Sequence, residues 1–199
     1  MSTETSNLEL AERVKLIETM LIEGRRTTER WGWVFVLWGV AYYAAILLTN
    51  VAHFAGGWPV TMIAAWLLTM IIAWRKARTR PKTTMGRAVA AIWIALGLSM
   101  MLLFPALGIS GRIDEYILIS VACAMLGMAN AASAILLRWR LQFACAVIWW
   151  ATAVFACFGK SIPVAVAFLT AIFLCMIVFG LFGMVADARQ RKLQGAVHA

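Results

Sequence analysis

Histidine occurs only at His53 and His198, and neither has a second metal-ligating residue at ligand spacing. A zinc site needs three or four converging His, Cys or carboxylate groups, and no HExxH or related pattern is present. Haem held across a helical bundle needs paired axial ligands, which one histidine at the edge of an apolar run does not supply. His53 therefore reads as an interfacial polar residue. The four cysteines, Cys123, Cys145, Cys157 and Cys175, all fall in apolar runs without CxxC spacing. They read as small packing residues rather than a disulfide framework. Ser99, Ser120 and Ser133 have no neighbouring His or Asp to activate them, and no G-x-S-x-G elbow occurs. Phosphate-cradling loops are missing, since Gly180-Leu181-Phe182-Gly183 has the wrong spacing and lies inside an apolar run. The residues thus predict no catalytic group, no cofactor and no metal.

The elements that hold these residues explain the scarcity. Hydrophobic residues make up 63% of the 199 and charged residues 14%, well away from the balance of a soluble domain. Apolar runs of about twenty residues recur, enough to cross a hydrocarbon core as helices. Six spans follow, at 31–53, 58–74, 88–109, 116–137, 141–158 and 163–185, forming three helical hairpins in an all-α polytopic integral membrane protein. Gly56, Gly57 and Pro59 mark the first turn, Pro105, Gly108 and Gly111 close the third span, and Gly159 and Pro163 bracket the last turn. Three segments result: 1–30, a cytoplasmic amphipathic helix and linker; 31–185, the six-helix bundle; and 186–199, a basic tail.

The net charge of +9 does not indicate nucleic-acid binding, because the charges sit in short clusters between apolar runs. Placing the N-terminus inside puts sixteen of the eighteen basic residues in the cytoplasm and leaves only Arg112 and Lys160 outside. The expected compartment is the plasma membrane, of the bacterial inner-membrane kind, with both termini cytoplasmic and lipid as the surrounding partner. The first apolar run begins at Trp31 behind a polar, mixed-charge stretch, so it reads as an uncleaved signal anchor. Arg30, Arg87 and Arg140 each precede an outgoing helix that carries tryptophan, a pattern that either an internal repeat or alternating topology produces.

Three groups of residues merit attention. In residues 7–23, Leu10, Val14, Ile17 and Leu21 recur at helical spacing and line one face, with charges largely off that stripe. Ser6 and Glu9 have capping-box spacing, and Gly24 is expected to end or loosen the helix. Two heptads are marginal alone in water, so the stripe predicts docking: on a cytoplasmic protein, on a second copy or on the membrane surface. In the fourth span, Cys123, Gly127, Ala131 and Ala134 form a small-residue stripe suited to close helix packing. Near mid-depth, Tyr42, Tyr43, Trp66, Ser99, Asn130, Trp149, Trp150 and Thr152 either line a pocket for an apolar ligand or lipid, or serve as interhelical partners.

No Asp, Glu, Lys or Arg lies in the middle of a span, which argues against proton-coupled transport. The leading expectation is a non-enzymatic accessory or regulatory membrane subunit acting through association. A carrier or channel for a small neutral or apolar solute is the second reading. A lipid-acting enzyme, with Asp114 and Glu115 as its only candidates, comes last.

Overall fold

The computed structural model describes residues 2–54, 56–77, 84–111 and 114–197, with the side chains of 2–11, 27, 76–77, 161 and 194–197 outside the described set. The described residues are helical with no strands. In chain order the helices are α1 (Ser2–Arg30), α2 (Gly32–Asn50), α3 (Gly57–Ala77), α4 (Thr84–Ile109), α5 (Glu115–Leu137), α6 (Arg140–Phe158), α7 (Ser161–Ile172) and α8 (Phe179–Val197). A π-helical segment, Phe173–Val178, joins the last two into one continuous rod. Six helices among the described residues are long and apolar enough to cross a membrane.

The ends of the helices follow from local chemistry. Pro59 sits in the first turn of α3, where its missing N–H removes no helical bond. His53 adopts φ 51°, and the next N–H, of Phe54, donates to the Leu48 carbonyl at 2.9 Å, closing the end of α2. Asp114 caps α5 by accepting from the Tyr116 N–H. The α5–α6 turn is a Schellman closure in which Trp139 N–H donates to Ala134 O and Arg138 N–H to Ile135 O. The left-handed position, usually glycine, is Arg138 at φ 47°.

Two helix ends differ from the sequence reading. Helix α1 passes through Gly24 without a break and meets α2 after a single non-helical residue, Trp31. The reason is contact: a Cβ at position 24 would lie 2.6 Å from Leu137 Cδ2 and 2.8 Å from Met85 Cγ, so glycine permits helix packing there. Pro105 lies within the last turns of α4, which ends at Ile109 where the third span was expected to end. The last helix continues beyond 185 to Val197, through a run of good helix formers including Ala186, Ala188, Arg189, Gln190 and Arg191.

The core sits among α2, α5, α6 and the α7–α8 rod. Two aromatic ladders cross it. One runs Trp58–Tyr42–Phe168–Trp149 with ring centroids 6.0, 6.2 and 6.4 Å apart. The other runs Trp93–Phe35–Phe179–Trp139 at 5.0, 5.3 and 5.2 Å. Most of these pairs meet edge to face, the arrangement the ring quadrupole favours. Glycines let the backbones close up. A Cβ on Gly32 would lie 2.5 Å from the Gly180 carbonyl oxygen, and one on Gly180 would lie 2.7 Å from the Gly32 carbonyl oxygen. Gly180-Leu181-Phe182-Gly183 is thus the crossing point of α8 over the start of α2. The π-helical segment packs on Gly39, whose Cβ would meet Met176 Cβ at 3.1 Å.

Candidate functional site

Two regions hold the residues singled out from the sequence: the N-terminal helix with its anchor, and the bundle interior. The anchor begins at Gly24. One residue on, Arg25 donates from Nε to the Leu137 carbonyl at 2.8 Å and from its terminal guanidinium nitrogen to the Arg138 carbonyl. These are carbonyls that the end of α5 leaves without intrahelical donors. A cation at a helix C-terminus is also favoured by the aligned peptide dipoles. Thr28 is buried and its hydroxyl donates back to the Gly24 carbonyl at 3.3 Å.

The other side of the anchor is α8. Arg30 pairs with Asp187 at 3.5 Å, and Arg191 also reaches Asp187. Gln190 Nε2 donates to Glu29 Oε2 at 3.4 Å. Burial holds the Glu29 carboxyl above its ordinary range, with Asp187 adding to the effect and Arg26 and Arg25 opposing it. The C-terminal third of α1, the α5–α6 turn and the part of α8 around Asp187–Arg191 therefore share one end of the molecule.

Beyond the anchor the helix stands clear. Every described side chain from Glu12 to Met20 is exposed. Val14 and Ile17 are each 55% exposed and Leu21 is half-buried. The side chain of Leu10, the fourth member of the stripe, lies outside the described residues. Met20, Leu16 and Ile22 add further exposed apolar surface. Over residues 12–20 the stripe therefore leaves apolar side chains open among the described residues.

In the interior, Cys123, Gly127, Ala131 and Ala134 are all buried, on the most buried of the six apolar helices. The Trp150 ring lies over Gly127, where a Cβ would fall 2.4 Å from its Cδ1. Tyr42 is ringed by Trp58 and Phe168, while the Tyr43 hydroxyl donates to the Leu169 carbonyl at 2.9 Å. Trp149 is buried, Trp150 is 39% exposed, Trp66 is half-buried and Ser99 is exposed on α4. Thr152 donates to the Ile148 carbonyl within its own helix. Asn130 donates from Nδ2 to Leu126 O at 2.9 Å, and its buried Oδ1 has no hydrogen-bond partner among the described residues.

Several structurally important residues escaped the sequence reading. Trp38 bonds Thr69 and Trp93 bonds Ser133, each tying two helices together. Gln142 is completely buried, and among the described residues neither of its amide atoms has a hydrogen-bond partner. An open groove of about 490 Å³ lies at the far end from the anchor, lined by Asp114, Tyr116, Ser120 and Cys157 among others. Among the described residues, no group of three or more His, Cys, Asp or Glu side chains is placed to hold a metal. No protein-family model matches the chain, and no curated protein or solved structure matches it either.

Proposed function

We propose that this chain is a six-span plasma-membrane protein, with both termini cytoplasmic, that works as an accessory or regulatory subunit by presenting its N-terminal helix for association. The observation that carries this reading is the contrast along α1. Residues 24–30 are fastened to two elements of the bundle, while Val14 and Ile17 are held out in the open. An exposed apolar stripe on a rigidly mounted helix has a reason to exist if another surface covers it. Preorganisation also lowers the entropy lost on docking.

The membrane frame rests on the six apolar helices and on charge placement. The anchored end carries Arg25, Arg26, Arg30, Arg138, Arg140, Arg189, Arg191 and Lys192, the signature of a cytoplasmic face. The carrier reading draws on the mid-depth residues, and several of these are engaged in ring ladders or in hydrogen bonds. The enzyme reading draws on Asp114 and Glu115, and Asp114 is occupied as the α5 cap.

The test is a mild-detergent pull-down of the full chain beside a version lacking residues 1–23, which leaves Gly24 and the anchor in place. The full chain retains a protein partner, either a second copy or a soluble protein, that the shortened version loses. Equal recovery by both versions overturns the proposal.

A further inference from the structure

The occupant of the exposed stripe can be argued from the charges that flank it. Residues 10–21 fit one heptad register, with Leu10 and Ile17 at d and Val14 and Leu21 at a. Arg13 then falls at g and Glu18 at e. In a parallel two-stranded coil, a g residue faces the e residue of the following heptad on the partner, five positions further on. Arg13 and Glu18 are five apart and opposite in charge. Two copies side by side would therefore make the Arg13–Glu18 pair twice, once in each direction. Both side chains are exposed, and among the described residues neither makes an ion pair within the chain.

Resting on the association reading above, we infer that residues 10–21 pair with the same segment of a second copy as a short parallel coiled coil. The anchor makes the geometry possible. Because α1 is fastened to its own bundle and runs almost directly into α2, two copies inserted in one membrane project their N-terminal helices in the same direction. That is the parallel arrangement, and a shared membrane raises the local concentration enough to support two heptads that would be marginal in solution. An anionic bilayer surface fits the helix less well. Glu9, Glu12, Glu18 and Glu23 outnumber Arg13 and Lys15 along residues 9–23, so the segment is net acidic.

The experiment uses the full chain in lipid vesicles at low protein density, carrying V14C in a C157S background. Val14 at a places position 14 opposite itself across a parallel pair, so mild oxidation gives a covalent dimer. R13E and E18R each replace two attractions by two repulsions and lower the crosslinked yield roughly tenfold. The double swap R13E/E18R restores it, and so does mixing R13E chains with E18R chains, which crosslink to each other. No V14C dimer, or a yield indifferent to the charge swaps, overturns the self-pairing. Failure of the crosslink together with a soluble protein lost on removing residues 1–23 sinks only this inference. Failure of both also removes the broader association reading.

Discussion

Helices α4 and α5 are close to equals in sequence. They have 26 and 23 residues, both are apolar enough to cross a membrane, and α4 is the more apolar of the two. Yet 6% of the apolar window of α4 is buried inside the protein, against 56% for α5. Apolarity does not separate a buried helix from an exposed one when the surroundings are themselves hydrocarbon. Side-chain size does. Helix α5 carries Ala, Gly, Cys and Ser along the face it buries, so neighbouring backbones come close enough for Trp150 to rest on Gly127. Helix α4 carries Ile94, Leu98 and Leu102 on a face that stays exposed, and a Cβ at its Gly97 would meet nothing within 4 Å. The packed half holds the N-terminal helix through Arg25 on the Leu137 and Arg138 carbonyls, and α4 meets it at Met85 beside Gly24.

The sharpest way to break this contrast is to fill the tightest glycine. Gly32→Ala places a methyl against the Gly180 carbonyl, a backbone atom that cannot swing aside. The change costs about 3 kcal/mol, the upper part of the overpacking range, read as a lowered melting temperature in detergent. Removing the anchor comes next. Arg25→Ala strips the Leu137 and Arg138 carbonyls of their donor and costs about 2 kcal/mol by the same measurement. Arg25→Lys recovers only part of this, because a single ammonium lacks the guanidinium fork.

The two glycines of α4 and α5 give a smaller effect with opposite signs. Gly127→Ala must push the Trp150 ring, a side chain with room to move, and loses about 1 kcal/mol. Gly97→Ala meets no neighbour and gains up to about 0.8 kcal/mol from helix propensity. Equal losses at both positions would show that the two helices are packed alike. The smallest effect is on pH. The Glu29 carboxyl is raised, so the folded protein holds that proton more tightly than the unfolded chain does. Its contribution is fully present below the ordinary glutamate range and is lost as pH rises through the raised value. Glu29→Gln removes this slope from the pH dependence of melting.

The helices were largely legible in the sequence because hydropathy and breakers are local signals. The six apolar runs and the regular spacing of Cys123, Gly127, Ala131 and Ala134 need no knowledge of a neighbour. What could not be read is whatever depends on a distant partner. Arg25 looks like one more basic residue of an inner flank, and its job depends on carbonyls 112 and 113 positions away. Gly24 reads as a helix end because glycine is a poor helix former, and only Leu137 and Met85 reveal why the chain needs it. Gln142 sits three residues into α6, where a polar side chain suggests an interface with water, and its complete burial is set by the helices packed over it. The mid-depth polar residues were visible individually, but which way each faced was not. That depends on helix rotation, which an all-round apolar helix does not encode in its periodicity.

The anchor at residues 24–30 fixes α1 on the packed half and leaves residues 12–20 exposed. The direct measurement is a distance distribution between spin labels at I17C and K192C, in a C157S background, diluted with unlabelled chain in lipid discs. A single narrow distribution that broadens in the Arg25→Ala variant is the predicted result. A broad distribution in the unaltered anchor, or one that Arg25→Ala leaves unchanged, would show that the anchor does not hold α1 in place.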